Sequence, residues 1–266
     1  MIREMTLGQY YQAESLLHRL DPRVKLMGTF LFVITLFFPK SWIGLGLATV
    51  FLAAMILLSK VPFSMIIKGI KPLMIIILFS ALMNLLFTRG EVLAELGPLH
   101  ITKEGVYLSI YLVVRLVYLI MGSSLMTFTT TPNQLTDGLE TGLRFLNRLH
   151  VPVHEFAMMM SIALRFIPIL TEELNKIMKA QMSRGVDFDS GNLMERAKKL
   201  IPVLVPLFIA AIRRASELAM AMDARCYHGG EGRTKLHPLK YQTADYIAYA
   251  VLLFYVAVMA VSAFVI

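Results

Sequence analysis

The sequence predicts an all-α membrane protein with five transmembrane helices and a cytoplasmic domain of long crossed helices inserted before the last span. The first observation behind this prediction is composition, since 57% of the 266 residues are apolar and 17% are charged. Soluble globular proteins average roughly 45–50% apolar and about 25% charged residues. The second is a mean hydropathy of +0.65, and the third is a set of 26 Lys and Arg residues, with a net charge of +8. These values exclude a soluble enzyme as the default class.

Five apolar stretches approach the length needed to cross the hydrocarbon of a bilayer, roughly 30 Å or about 20 helical residues. The first stretch is short, so Lys25 must extend its ammonium group to the lipid headgroups if this segment spans. The chain divides into an N-terminal segment with four spans (1–130), a cytoplasmic domain (131–244) and a closing span (245–266). The predicted spans are residues 23–38, 41–58, 72–88, 106–128 and 245–266.

The positions of the basic residues predict the orientation of these spans. With the N-terminus inside, the cytoplasmic segments 1–25, 59–71 and 128–244 hold 4, 3 and 15 Lys and Arg residues, 22 of the 26. The outer loops hold three. Because Lys and Arg concentrate in cytoplasmic loops, we expect a cytoplasmic N-terminus and an extracellular C-terminus.

Three further apolar runs carry or adjoin charged side chains, around residues 156–170, 200–211 and 218–222. A charge at the centre of a lipid-exposed helix costs about 2.5–3.5 kcal/mol on insertion scales. We therefore interpret these runs as helices packed on protein. If they crossed the bilayer instead, the chain would have seven or eight spans and would be a stand-alone secondary transporter, an alternative that the residues leave open.

One arginine, Arg115, lies inside a predicted span. An intramembrane arginine is a functional hypothesis by default. It could donate to Asn84, to serines or to backbone carbonyls, or reach a shallow membrane edge, or it could contact another subunit. Arg115 is therefore a candidate subunit contact.

The predicted cytoplasmic domain contains two helical stretches, residues 152–184 and 192–225, each about 50 Å long if continuous. They end alike, in Ser183-Arg184-Gly185 and in Ala224-Arg225-Cys226. Each ending is typical of a helix C-terminus, where Arg complements the helix dipole and Gly supplies a left-handed cap. An arginine at a rigid helix tip is also well placed to bind a partner's carboxylate bidentately.

Small residues recur along the second stretch, where Ala211, Ala215 and Ala219 follow each other at intervals of four. Residues at this spacing share one face of a helix and form a smooth ridge. We expect another helix to cross closely at this ridge, so that the two arginine ends point apart towards two similar contacts. The 18 methionines either fill the core or form an adaptable surface that repacks against more than one partner.

No motif in the sequence indicates chemistry of the chain's own. The phosphate loop G-x-x-x-x-G-K-[ST] is absent, so ATP would be bound by partners. His150 and His154 stand four apart, but Pro152 interrupts that turn, and the single cysteine has no metal-ligand spacing. A nucleophile with a positioned base is not recognisable, which disfavours an intramembrane hydrolase, the other alternative. We expect a non-catalytic chain without cofactor, metal or nucleic acid.

The opening segment from Ser15 to Lys25 (SLLHRLDPRVK) is followed by four spans, two long helices with arginine-bearing ends, and a closing span. This organisation resembles the transmembrane coupling (T) component of energy-coupling factor transporters, the CbiQ-like family, over nearly the whole chain. The opening segment also has a physical interpretation. Asp21 as N-cap and Pro22 in the first helical turn would start the first span at the cytoplasmic face.

The resemblance implies a subunit of an ATP-driven importer of vitamins or other micronutrients in the bacterial cell membrane. It implies two ABC-type ATPase subunits, which carry ATP and Mg, and one small substrate-binding membrane subunit, which could be exchangeable. By the family's pattern, Ser183, Arg184 and Gly185 match the first Ala-Arg-Gly-type signature that enters an ATPase groove. Ala224 and Arg225 match the second. Cys226 stands where glycine is usual, which leaves the conformation of this helix end open, because Cys adopts positive φ poorly.

Overall fold

The computed structural model describes residues 10–38, 42–96, 99–149, 151–188, 190–229 and 238–265. Within these ranges the chain is helical apart from one short hairpin, which confirms the all-α membrane class. The helices are α1 (Leu16–Arg19), α2 (Pro22–Thr35), α3 (Trp42–Ser59), α4 (Phe63–Ile70), α5 (Met74–Phe87), α6 (Lys103–Thr129), α7 (Pro132–Gly142), α8 (Val153–Ser183), α9 (Leu193–Asp223) and α10 (Thr243–Val265). Two 3₁₀ turns, Lys71–Leu73 and Arg144–Leu149, and the strands β1 (Val92–Leu96) and β2 (Leu99–Thr102) complete the elements.

The chain forms two compact units, one of residues 1–141 with 239–266 and one of residues 142–238. The first unit holds α1 to α6, the hairpin, α10 and nearly all of α7, and the second holds α8 and α9. The sequence places the limits of the inserted domain at 131 and 244, whereas the second unit covers 142–238. Most of this difference in extent arises because α7 belongs to the first unit. A Cβ on Gly138 of α7 would lie 3.0 Å from Pro22 Cβ, so α7 packs closely on the start of α2.

Helices α2 and α5 of the first unit run antiparallel to α6. Lys25, near the start of α2, donates to the carbonyl of Thr129 at the end of α6 (2.9 Å), so these two termini share one face. At the other face Thr102, the N-cap of α6, donates to the carbonyl of Thr88, just after α5 (2.8 Å). The chain therefore leaves the bundle after α6 at the face where α2 begins.

The prediction that Lys25 extends to the headgroups is wrong, because only 6% of this residue is exposed. Its ammonium group donates to the carbonyls of His18 (3.1 Å) and Thr129 (2.9 Å). The last carbonyls of a helix have no intrahelical donor, so Lys25 caps α6. The N–H of Asp21 donates to the Asp245 carboxylate (2.8 Å), which brings the start of α10 to the same face.

The core of the first unit lies where α2, α3, α4, α6 and α10 meet. The rings of Phe51 and Tyr255 stack there with centroids 4.0 Å apart. The buried members of this core are Phe32, Leu36, Ala48, Leu52, Val61, Ile66, Met121, Leu125, Phe128, Tyr255 and Met259.

Among the described residues of the first unit, four helical segments have the length and apolar composition of a membrane span: Trp42–Ser59, Phe63–Phe87, Lys103–Thr129 and Thr243–Ala263. The second of these begins at Phe63 and not at residue 72, because α4, the 3₁₀ turn and α5 follow one another without a break. Pro72 lacks an N–H donor, which fits the tighter turn at this point.

Two further features of the fold differ from the sequence-based expectation. Helix α2 has 14 residues, about 21 Å, and is shorter than a span. Helix α8, which the sequence places in the cytoplasm, is long and apolar enough to cross a membrane.

The hairpin, in which Val92 pairs with Thr102, occupies a predicted outer loop. Residue 41, the predicted start of the second span, lies outside the described residues.

Candidate coupling surface

Helices α8 and α9 have 31 residues each, about 46 Å. A capping box starts α9: Asn192 accepts from the backbone at Glu195, and the Glu195 carboxylate accepts from the Asn192 N–H (3.2 Å). This reciprocal pair satisfies two of the N–H groups that a helix start leaves without partners. Prolines lie inside both helices, at positions 168, 202 and 206, without ending them.

A hydrogen bond that compensates for one of these prolines joins α8 to α9. Pro206 has no N–H, so the carbonyl of Pro202, four residues earlier, loses its usual helical donor. The side chain of Gln181, in the last turn of α8, donates to that carbonyl (3.2 Å). The end of α8 is therefore tied to the first third of α9.

The alanine ridge of α9 faces α8 in a second region, away from the bond between Gln181 and Pro202. Ala211, Ala215 and Ala219 share a groove of about 250 Å³ with Ile162, Phe166 and Leu170 of α8. Because the end of α8 contacts the first third of α9 while the first half of α8 faces the last third of α9, the helices run antiparallel. The ridge thus faces the other long helix, with a groove left between the two surfaces.

The first arginine tip is a Schellman motif. Gly185 has φ +88°, and its N–H donates to the carbonyl of Met182 (3.0 Å). The N–H of Val186 donates to the carbonyl of Gln181 (3.1 Å). These two bonds define the motif, with glycine at the left-handed position and Arg184 immediately before it.

The second tip repeats this geometry with a cysteine at the left-handed position. Cys226 has φ +55°, and its N–H donates to the carbonyl of Asp223 (2.9 Å), while Tyr227 donates to that of Met222 (3.1 Å). Arg225 therefore occupies the place that Arg184 has at the first tip. The departure from glycine does not change the fold of this helix end.

Both arginines are exposed, and neither guanidinium group has a hydrogen bond or ion pair with another described residue. Since Gln181 lies beside Pro202, about 23 residues of α9 separate the two tips, roughly 35 Å at 1.5 Å per residue. Ser183 and Ala224, the residues before the arginines, are exposed as well. The second unit thus presents two equivalent guanidinium groups far apart.

The apolar run at residues 200–211, which the sequence predicts to pack on protein, instead contributes to an exposed apolar face on α9. Its members recur at intervals of three and four, the helical period that would have revealed it. Monomeric soluble proteins rarely expose a contiguous apolar surface of this kind. The residues are Ile201, Leu204, Val205, Phe208, Ile209 and Ile212.

Arg115 contacts aromatic side chains in the first unit. Its guanidinium donates to the Tyr111 hydroxyl (3.1 Å) and lies over the Tyr111 and Phe37 rings, 4.7 and 5.5 Å from the centroids. Asn84, one of the expected partners, donates instead to the carbonyl of Ser80 in its own helix.

Metal ligands do not converge anywhere in the part of the chain that the structure describes, where no three His, Cys, Asp or Glu side chains come together. His150, one half of the weak histidine pair in the sequence, lies outside the described residues.

Comparison with known proteins places the chain in a family. A profile described as cobalt transport protein (CbiQ) matches residues 13–236. The energy-coupling factor transporter transmembrane protein EcfT of Thermosediminibacter oceani is 50% identical over 248 residues, 93% of this chain and 94% of that protein. The proteins of the same name from Ruminiclostridium cellulolyticum and Bacillus subtilis are 51% and 48% identical, each over 92% of this chain and over 92% and 93% of their own lengths. The resemblance in the sequence is confirmed: the chain belongs to the CbiQ family of membrane transport proteins.

Proposed function

We propose that this chain is the transmembrane coupling subunit of an ATP-driven importer of the energy-coupling factor type. The names of its relatives support the transporter class. The observation that carries the proposal is the equivalence of the two tips, because two identical Schellman ends with Arg184 and Arg225 fit two related partner subunits. Each guanidinium would bind a carboxylate in a groove of one ABC-type ATPase.

The mechanism follows from the rigidity of α8 and α9. Nucleotide binding draws the two ATPases together, and their grooves carry the arginine tips with them. Gln181 holds the end of α8 to α9, so that displacement of one tip acts on the pair of helices. ATP and Mg belong to the ATPases, and this chain performs no chemical step.

A small substrate-binding membrane subunit is the partner we assign to the apolar face of α9. Association of a membrane protein there would remove six large exposed side chains from water, with about 25 cal/mol gained per Å² of apolar surface buried. The substrate, a vitamin or other micronutrient, is selected by that subunit. The complex would lie in the cell membrane with α8 and α9 in the cytoplasm, as the concentration of basic residues outside the outer loops supports.

Charge reversal at each tip tests the coupling role. Truncating one partner of a buried charged pair costs about 2–5 kcal/mol, so Arg184→Glu and Arg225→Glu should each weaken ATPase binding by at least roughly thirtyfold. Co-purification in mild detergent measures this loss, and transport should fall with it. Lys176→Glu and Arg213→Glu, exposed positions on the same helices away from the tips, are the matched controls. Normal ATPase binding by both tip variants would refute the proposal.

The rival function, a stand-alone secondary transporter, draws support from the length and apolar character of α8. Labelling of the single cysteine, which is exposed at the second tip, distinguishes the coupling subunit from the secondary transporter. A membrane-impermeant maleimide should label Cys226 and a cysteine at position 183 (Ser183→Cys with Cys226→Ser) from the same, cytoplasmic side. Labelling from opposite sides of the membrane would favour the secondary transporter.

A further inference from the structure

A cavity in the first unit has the two-part character of a lipid site. Its first part is an apolar chamber of about 320 Å³ between α1, α2, α3, α6 and α10. This volume lies within the range of about 300–1,000 Å³ typical of small-molecule sites. The walls are buried side chains such as Phe32, Leu52, Leu125 and Leu252, and the small residues Gly28, Gly122 and Ala248 also line the chamber.

The chamber opens to the outside at its sides. Leu16 and Leu58 form one margin and are 64% and 46% exposed, and Ile247 and Val251 on α10 form another and are 61% and 51% exposed. In a unit whose helices span the membrane, the margin on α10 faces hydrocarbon. An empty apolar void forfeits dispersion contacts with its lining, and water gains few partners there. A hydrocarbon chain is the occupant that this lining fits.

A polar mouth adjoins the chamber at the face where α2 begins. A second space, of about 450 Å³, shares Leu16 and Leu58 with the chamber and is also lined by Arg19 and Lys60. Arg19 forms an exposed ion pair with Glu14 (3.4 Å), a class of contact worth at most about 1 kcal/mol. Lys60 is exposed, and its ammonium group has no hydrogen bond or ion pair with another described residue.

The backbone fixes where the Lys60 side chain emerges. Lys60 follows the end of α3 with φ +55°, and Val61 after it is buried and donates to Ser59 Oγ (3.1 Å). Lys60 lines the mouth together with Arg19 and Glu14. The mouth therefore carries two cations and one carboxylate, and its net positive charge complements a negatively charged headgroup on an acyl tail.

We propose that this cavity binds one anionic phospholipid of the surrounding bilayer, with an acyl chain between α2, α3, α6 and α10 and the phosphate between Arg19 and Lys60. The lipid would fill the gap between the closing helix α10 and the first spans. Each basic residue near a membrane surface contributes about a fivefold preference for anionic lipid. The site is separate from the arginine tips and does not depend on the proposed coupling role.

The test uses the full chain, purified and exchanged into an equimolar mixture of phosphatidylglycerol and phosphatidylcholine with the same acyl chains. Native mass spectrometry then counts the lipids that each chain retains. We expect one retained phosphatidylglycerol in the wild type, at least fivefold favoured over phosphatidylcholine. The double variant Arg19→Gln/Lys60→Gln should lose that preference. Equal retention of both lipids by the wild type, or an unchanged preference in the double variant, would overturn the proposal.

A second pair of variants tests the chamber itself. Ala248→Phe places a ring inside the cavity, whereas Ala250→Phe lies on the exposed side of the same helix. The first should abolish retention of the lipid and the second should preserve it. If Ala248→Phe retains phosphatidylglycerol as the wild type does, the acyl chain does not occupy this chamber and the proposal fails.

Discussion

At the scale of single residues, the two tips differ in one position with a physical consequence. Gly185 adopts φ +88° without cost, whereas Cys226 holds φ +55° with a Cβ present. A left-handed conformation costs an L-residue about 1–2 kcal/mol, partly offset because glycine loses more entropy on ordering. The second tip is therefore the weaker of two caps with the same hydrogen bonds.

This difference predicts opposite effects of exchanging the two residue types. Cys226→Gly should stabilise the second helix cap by about 0.5–1 kcal/mol. Hydrogen exchange of the Tyr227 amide, which donates one of the capping bonds, should then slow two- to fivefold. Gly185→Ala should weaken the other cap by about 1 kcal/mol and speed exchange at Val186. Hydrogen exchange of the purified chain, resolved at these amides, measures both. Faster exchange in Cys226→Gly would contradict the assignment of strain to this residue.

The sequence predicts the tips only in part at this scale. The Arg-Gly ending predicts the first cap directly, because glycine is the usual left-handed residue. At the second tip, the cysteine disfavours the left-handed conformation, so the sequence does not predict this cap. The cap is evident only from the hydrogen bonds that Cys226 and Tyr227 donate to the carbonyls of Asp223 and Met222. The environment of Lys25 was equally beyond prediction, because one of the two carbonyls that hold it belongs to Thr129, 104 residues away in the chain.

At the scale of elements, the pairing of α8 with α9 depends on an unusual hydrogen bond. Gln181 contributes its carbonyl to the first cap and its side chain to the carbonyl that Pro206 leaves without a donor. A single residue thus links the conformation of the Arg184 tip to α9. The two prolines are visible in the sequence. The donor to the Pro202 carbonyl, Gln181, lies 21 residues before Pro202 and is recognised only from the tertiary structure.

A double-mutant cycle tests this link. Gln181→Leu removes the donor to Pro202 and should loosen the first tip by about 0.5–1.5 kcal/mol, the net value of a typical hydrogen bond. Pro206→Ala returns an N–H that can bond the same carbonyl within α9, so the double variant should lose less than the single Gln181→Leu change. The rate of amide exchange at Val186 is the measurement. Strictly additive effects would show that the two residues do not share this carbonyl.

The extent of the third predicted span shows where pattern-based reasoning fails for elements. Lys68 and Lys71 suggested a cytoplasmic loop, yet the helix begins at Phe63. A buried apolar residue, Ile66, and close packing of Gly69 against Ser124 of α6 hold this amphipathic turn in place. The third span was therefore predicted too short, because its start was placed after the two charged residues.

At the scale of the whole molecule, composition and charge were informative because they reflect the solvent. The apolar excess predicts the membrane class, and the distribution of 26 basic residues predicts which loops share a side. The capping of α6 by Lys25 and the bond between Asp21 and Asp245 place the C-terminal end of α6 and the starts of α2 and α10 at one face, as that distribution requires. The lipid cavity could not be predicted, since it depends on how five helices pack.

The most direct test of the coupling role exploits the equivalence of positions 185 and 226. The wild type carries its only cysteine, Cys226, at the second tip, and the exchange variant Gly185→Cys/Cys226→Gly moves it to the same position of the first. A photo-reactive maleimide attached to either cysteine should crosslink the complex to an ABC-type ATPase, at corresponding grooves of the two subunits. Crosslinks from only one tip, or from neither tip to an ATPase, would contradict the account.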